Sequence, residues 1–199
     1  MRGLALVFVL AVVAGCSASR PPERFHSLLA GERSAAAPAA HPVYVDVVPV
    51  GVPAQVDHAQ WAVRQPDDSL LLLEQERWAA PLRDELRGAV VERLASRWSA
   101  VDVRGVAAPA PLVWRVRIDV QRFESIPGRE ARLEATWSVS PLSSQRDLPT
   151  LVCRSTFAEA VAQADVPALA AAHRRAAARL ADAIGERLAP LQRGELPGC

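Results

Sequence analysis

The chain has 199 residues, half of them hydrophobic and 23% charged, which suits one packed domain with appendages and excludes global disorder. Its 23 basic residues are all Arg and face 22 acids, a near balance that argues against a nucleic-acid partner. Three Cys are too few for a small disulfide scaffold or a four-Cys zinc site.

Met1 and Arg2 make a short basic start, and an unbroken apolar run follows from Leu4 to Ala14. That run is well short of the roughly 20 apolar residues a spanning helix needs, so it reads as the hydrophobic region of a signal peptide. It ends on Val13, Ala14, Gly15 and Cys16, which resembles the bacterial lipobox. There, small residues fit the lipoprotein signal peptidase and the Cys thiol is acylated before cleavage. Several acyl chains on Cys16 give stable anchoring where one chain does not. Position 17 is Ser rather than the Asp that marks inner-membrane retention in Gram-negative systems, and this resemblance implies the periplasmic side of the outer membrane. Removing residues 1–15 also removes Arg2, which leaves acids and bases in balance.

Ser17 to Pro42 is rich in Ala, Ser, Pro and Arg and reads mostly as a tether. Phe25 to Leu29 is the exception, a short strand or an anchoring turn. Val43 to Val50 is β-branched and bounded by Pro42 and Gly51, so a strand is predicted. Trp61–Gln65 and Leu70–Leu73 are two short extended runs around the turn residues Pro66, Asp67, Asp68 and Ser69. Leu82, Leu86, Val90, Leu94 and Trp98 recur every four residues behind Pro81, which predicts a helix over about 79–97. Ala100 to Val106 reads as a short strand.

Trp114, Val116, Ile118 and Val120 then alternate with Arg115, Arg117, Asp119 and Gln121. After the turn at Pro127 and Gly128, Leu133, Ala135, Trp137 and Val139 alternate with polar residues. An antiparallel hairpin with one buried face is predicted. Leu151 to Phe157 makes a third strand. Asp165 is a candidate N-cap, and Leu169, Ala176, Leu180, Ile184 and Leu191 form the stripe of a long final helix. The expected fold class is α+β, an antiparallel or mixed sheet with two helices on one face. The expected organisation is a signal peptide at 1–15, acylated Cys16 and tether to 42, and one domain over 43–199.

Chemistry is poorly signalled. His26, His41, His58 and His173 make no metal-ligand spacing, and no nucleophile elbow or glycine-rich phosphate loop is present. No catalytic residue, metal ligand or cofactor is expected. Trp98, Trp114 and Trp137 fall in phase with apolar stripes; Trp61 and Trp78 flank loops and read as core or as contact residues. The first helix has a polar reverse face with Arg83, Arg87, Glu92 and Arg93, either solvated or available to a partner. Once Cys16 is acylated, Cys153 and Cys199 are the remaining thiols of an exported chain. They either pair or leave Cys153 as a small buried hydrophobe.

Several segments carry a family resemblance. Val45 to Pro53 resembles a strand followed by a Val-Pro-rich opening. Val56 to Arg64 and Arg77 to Leu82 resemble two further motifs, the second being the entry to the first helix. With the lipobox and the aromatic start at Phe25, they are similar to the PqiC/YmbA-type ABC-type transport auxiliary lipoproteins. The chain departs from the pattern at His58 and Ala59, where the family usually has Arg-Pro, and at Ala62. The resemblance implies a non-enzymatic outer-membrane lipoprotein assisting an MCE-type lipid-transport system, with an MCE-domain periplasmic protein as partner. Homo-oligomerisation stays open. The alternative is a periplasmic small-ligand-binding lipoprotein or hydrolase. Because the resemblance is densest over 43–98, Asp57, Trp61, Arg64 and Trp78 are the candidate partner contacts.

Overall fold

The computed structural model describes residues 21–29, 42–106, 112–142 and 148–199. The signal-peptide and Cys16 assignments lie outside these residues. In chain order the elements are β1 (Arg24–His26), β2 (Val43–Val47), β3 (Gln60–Arg64), β4 (Leu70–Trp78), α1 (Leu82–Trp98), β5 (Ala100–Asp102), β6 (Trp114–Ile126), β7 (Glu130–Pro141), β8 (Leu151–Ala160) and α2 (Val166–Gln192). The class is α+β, as the strand and helix periodicities predict.

Five strands form the main sheet in the order β5-β2-β6-β7-β8, antiparallel from β6 to β8 and parallel where β2 meets β5 and β6. The alternation of β7 is complete: Ala131, Leu133, Ala135, Trp137 and Val139 are buried. α2 lies over β7 and β8, α1 over β5 and β2, and the two helices touch. Leu86, Val90 and Leu94 of α1 and Leu169, Leu180, Ile184 and Leu191 of α2 fill the layer between, almost wholly buried. The helices approach closely at Gly185, where a Cβ would stand 2.3 Å from the Trp98 ring.

β6 carries a bulge between Val120 and Arg122. The extra residue reverses the phase of the strand. Before it Trp114, Val116, Ile118 and Val120 face the helices; after it Phe123 and Ser125 do. Arg122 and Glu124 are thereby turned to the other face of the sheet. A second sheet, β1-β4-β3, abuts this far half of β6.

Some boundaries differ from the predicted ones. β4 runs on through Glu76 to Trp78, because Glu76 is buried against Arg24 and against His26 Nε2 at 2.5 Å. Its carboxylate is satisfied inside the strand rather than marking a turn. β5 stops at Asp102 and not at Val106. The folded unit also begins earlier than residue 43. β1 pairs in parallel with β4, and Leu28 is buried. The Glu85 carboxylate accepts from Ser27 Oγ and Leu28 N, both at 2.7 Å, and Arg174 donates to Ser27 O at 3.0 Å. Residues 24–29 are therefore clasped by both helices. α1 starts at Leu82 with Pro81 as its cap, while Asp165 caps α2 by accepting from Ala168 N at 2.8 Å. Cys153 and Cys199 are joined in a disulfide with Cα atoms 5.6 Å apart, which ties the tail beyond α2 to β8.

Candidate interaction surface

Two of the four contact candidates are interior groups. Trp61 and Trp78 are buried and stacked on one another, with ring centroids 4.0 Å apart. Trp61 donates from Nε1 to Ser125 Oγ at 3.1 Å, which fastens β3 to β6. Their indoles pack the small sheet onto the main one, so neither ring is offered to a partner. Asp57 and Arg83 form an ion pair that ties the loop after the 3₁₀ turn at Ala54–Val56 to α1. Arg64 donates from Nε and Nη2 to Glu124 Oε1 at 3.0 and 2.6 Å, and from Nη1 to Asp68 O at 2.9 Å. It is a brace between the β3–β4 turn and β6.

The polar face of α1 is likewise engaged within the fold. Arg87 pairs with Asp102 and donates to Val47 O at 2.9 Å. Arg93 grips Asp182 of α2 through two bonds of 2.9 and 2.8 Å. Those bonds hold the Asp182 carboxyl below the ordinary carboxylate range and raise the guanidinium.

One polar pair has the composition of a catalytic dyad. His173 Nε2 lies 2.9 Å from Ser125 Oγ. Both are buried, and the His173 ring stacks on Phe123 at 3.9 Å with Trp61 alongside. Burial pushes the His173 pKa down to about 3, so the ring is neutral at pH 7. With both groups buried among these rings, the pair serves as a polar pin of the core.

The open face of the sheet is different. A cavity of about 820 Å³ lies between the β3–β4 turn and the β6–β7 hairpin. Arg64, Asp68, Arg122, Glu124, Arg129 and Arg132 line it. Arg132 pairs with Glu130 at 2.6 Å, and Arg122 stands loosely off Glu124 at 3.6 Å and Glu134 at 3.7 Å. Among the described residues no carboxylate pairs with Arg129. The groove thus has cationic capacity to spare, suited to anionic oxygen ligands. Of these only Arg64 was among the contact residues expected from the sequence. The others are brought together by the bulge and by the turn at Pro127 and Gly128. Among the described residues no group of three or more His, Cys, Asp or Glu is placed to hold a metal ion. None of the described helices is long and apolar enough to cross a membrane.

The fold is a two-helix α+β domain, and comparison with known proteins gives its family. Residues 26–185 match the family described as the ABC-type transport auxiliary lipoprotein component, and the chain belongs to that family. It is therefore related to lipoproteins that serve an ABC-type transporter. No curated protein matches the chain. Among solved structures, an uncharacterized protein is similar with a TM-score of 0.68 and 12% identity, covering 84% of this chain and 99% of its own. A protein of Xanthomonas campestris from the family DUF330 has a TM-score of 0.58 and 22% identity, covering 79% of this chain and 92% of its own. Both likenesses establish the fold.

Proposed function

We propose that the protein is a non-enzymatic lipoprotein, anchored through acylated Cys16 in the outer membrane and facing the periplasm. It assists an MCE-type system that moves lipid between the two membranes, with an MCE-domain protein as its partner. The family match over residues 26–185 carries this reading, because it makes the chain an auxiliary of ABC-type transport. The lipobox at Val13–Cys16 supports the anchor, and Ser17 supports the outer membrane. A non-enzymatic role is supported by the sealing of Ser125 and His173 behind aromatic rings.

Density-gradient separation of the two membranes tests the anchor. The wild-type chain is expected in the outer-membrane fraction with acyl mass on its N-terminal peptide, and Cys16→Ala is expected to leave that fraction. Wild-type chain in the inner-membrane fraction overturns the location; Cys16→Ala retained in the outer membrane overturns the anchor.

A further inference from the structure

We propose that the end of the domain formed by the β3–β4 turn rests on the bilayer: Leu70, Leu71 and Leu72 enter the leaflet that holds the Cys16 acyl chains, and the neighbouring arginine groove takes lipid phosphates. The inference builds on the anchoring reading above and adds an orientation and a contact surface to it.

Three observations carry it. First, Leu70, Leu71 and Leu72 are 40%, 48% and 40% exposed, three consecutive leucines at the turn end of β4, with Leu70 and Leu72 on one face of the strand and Leu71 on the other. Exposed aliphatics elsewhere, such as Val101, Val152 and Leu196, are scattered singly. A lone exposed aliphatic needs no explanation, but three exposed leucines gathered at one hairpin end mark a contact surface that can be immersed on both sides of the strand.

Second, the path of the chain gives the occupant. β1 runs parallel to β4 with Arg24 opposite Glu76, so the chain enters β1 from the Leu70 end of β4. From Arg24 back to Cys16 is a contour of at most about 26–29 Å. From Glu76 back to Leu70 along β4 is about 20 Å. The leucines are therefore within the contour reach of Cys16, from the end of β4 at which the chain enters β1. Residues 24–29 are clasped by Glu85 and Arg174, so this tether leaves a fixed point of the fold.

Third, the arginine groove opens at the same end. Arg64 lies directly opposite Leu70 in the β3–β4 ladder, and Arg122 and Arg129 line the groove beside it. Guanidinium groups next to aliphatic side chains match the boundary between lipid phosphate and acyl chain. Of the two acids at the turn, Asp67 is bonded within its own loop, and Asp68 lines the groove with its backbone O accepting from Arg64. Asp67 accepts from Ser69 N at 3.0 Å and Ser69 Oγ at 2.6 Å, which holds its carboxyl below the usual range.

The acylated protein offers a clean probe. Cys16 carries lipid and Cys153 is bridged to Cys199, so Leu71→Cys supplies a single free thiol for an environment-sensitive dye. Val101→Cys on β5 is the control, at the far end of the main sheet. Both labelled proteins are reconstituted in phosphatidylglycerol-containing vesicles with nitroxide-labelled lipid. The Leu71 dye is expected to shift to the blue and be quenched several-fold more than the Val101 dye. Arg129→Glu is expected to reduce that quenching, and added salt to weaken it. Protein that floats with the vesicles while its Leu71 dye is quenched no more than the Val101 dye overturns the orientation and leaves the anchor standing. A blue shift without quenching means that a second copy of the chain covers the leucines, and also overturns it. Failure to float removes the anchor, and both readings with it.

Discussion

Acid should weaken the fold through His173. The ring is fully buried, stacked on Phe123 and bonded to Ser125, with burial holding its pKa at about 3. In the unfolded chain the same group titrates near about 6.5. Above that pH neither state binds the proton, and His173 contributes no pH dependence. Below it the unfolded chain takes up a proton that the native core refuses. Stability then falls by about 1.4 kcal/mol per pH unit, down to the folded pKa. Between pH 7 and pH 5 the loss works out at about 2 kcal/mol. Urea unfolding followed by tryptophan fluorescence at pH 5, 6 and 7 reads this directly. The control is His173→Gln, which keeps a polar atom near Ser125 but does not titrate. It should be less stable than wild type at pH 7, with a gap that narrows by about 2 kcal/mol at pH 5. Parallel pH dependences for the two proteins would refute a buried, neutral His173.

Leu180→Ala removes a side chain that is 1% exposed between α2 and the sheet, and a loss of about 2–5 kcal/mol in urea denaturation is expected; a loss below about 0.5 kcal/mol would deny the helix-on-sheet packing. Cys199→Ser opens a bridge between residues 46 apart in sequence and should cost about 2–4 kcal/mol under non-reducing conditions, with wild type in reductant behaving like the variant.

The parts of the fold with a strict local period were the legible ones. The four-residue spacing of Leu82, Leu86, Val90 and Leu94, and the two-residue alternation of β7, each point one face inward, and these faces are buried. Features that depend on partners remote in sequence were not legible. The parallel pairing of β2 with β5 and β6 has no local signature, because nothing in Val43–Val47 specifies the neighbour. The charged stretch from Glu74 to Arg77 looks like the end of a strand, yet it continues because Arg24 pairs with Glu76 and His26 is hydrogen-bonded to it from 50 or more residues away. The bulge in β6 had one visible sign, the large apolar Phe123 at a position where strict alternation calls for a polar residue. That one-residue shift moves Arg122 and Glu124 to the groove side and builds the surface from residues that were not expected as contacts. Trp61 and Trp78 could be read either way from their loops; their stacking on one another, with Trp61 tilted against His173 and Trp78 edge-on to Phe123, is a tertiary fact.

The central claim is that this lipoprotein works as a subunit of a trans-envelope transporter. It is tested most directly by purifying the acylated, affinity-tagged chain from its native envelope after mild crosslinking. An MCE-domain protein and its permease are expected to co-purify in amounts comparable to the bait, and to be lost with Cys16→Ala. A wild-type preparation in which neither is enriched above that of an unrelated tagged lipoprotein would contradict the claim.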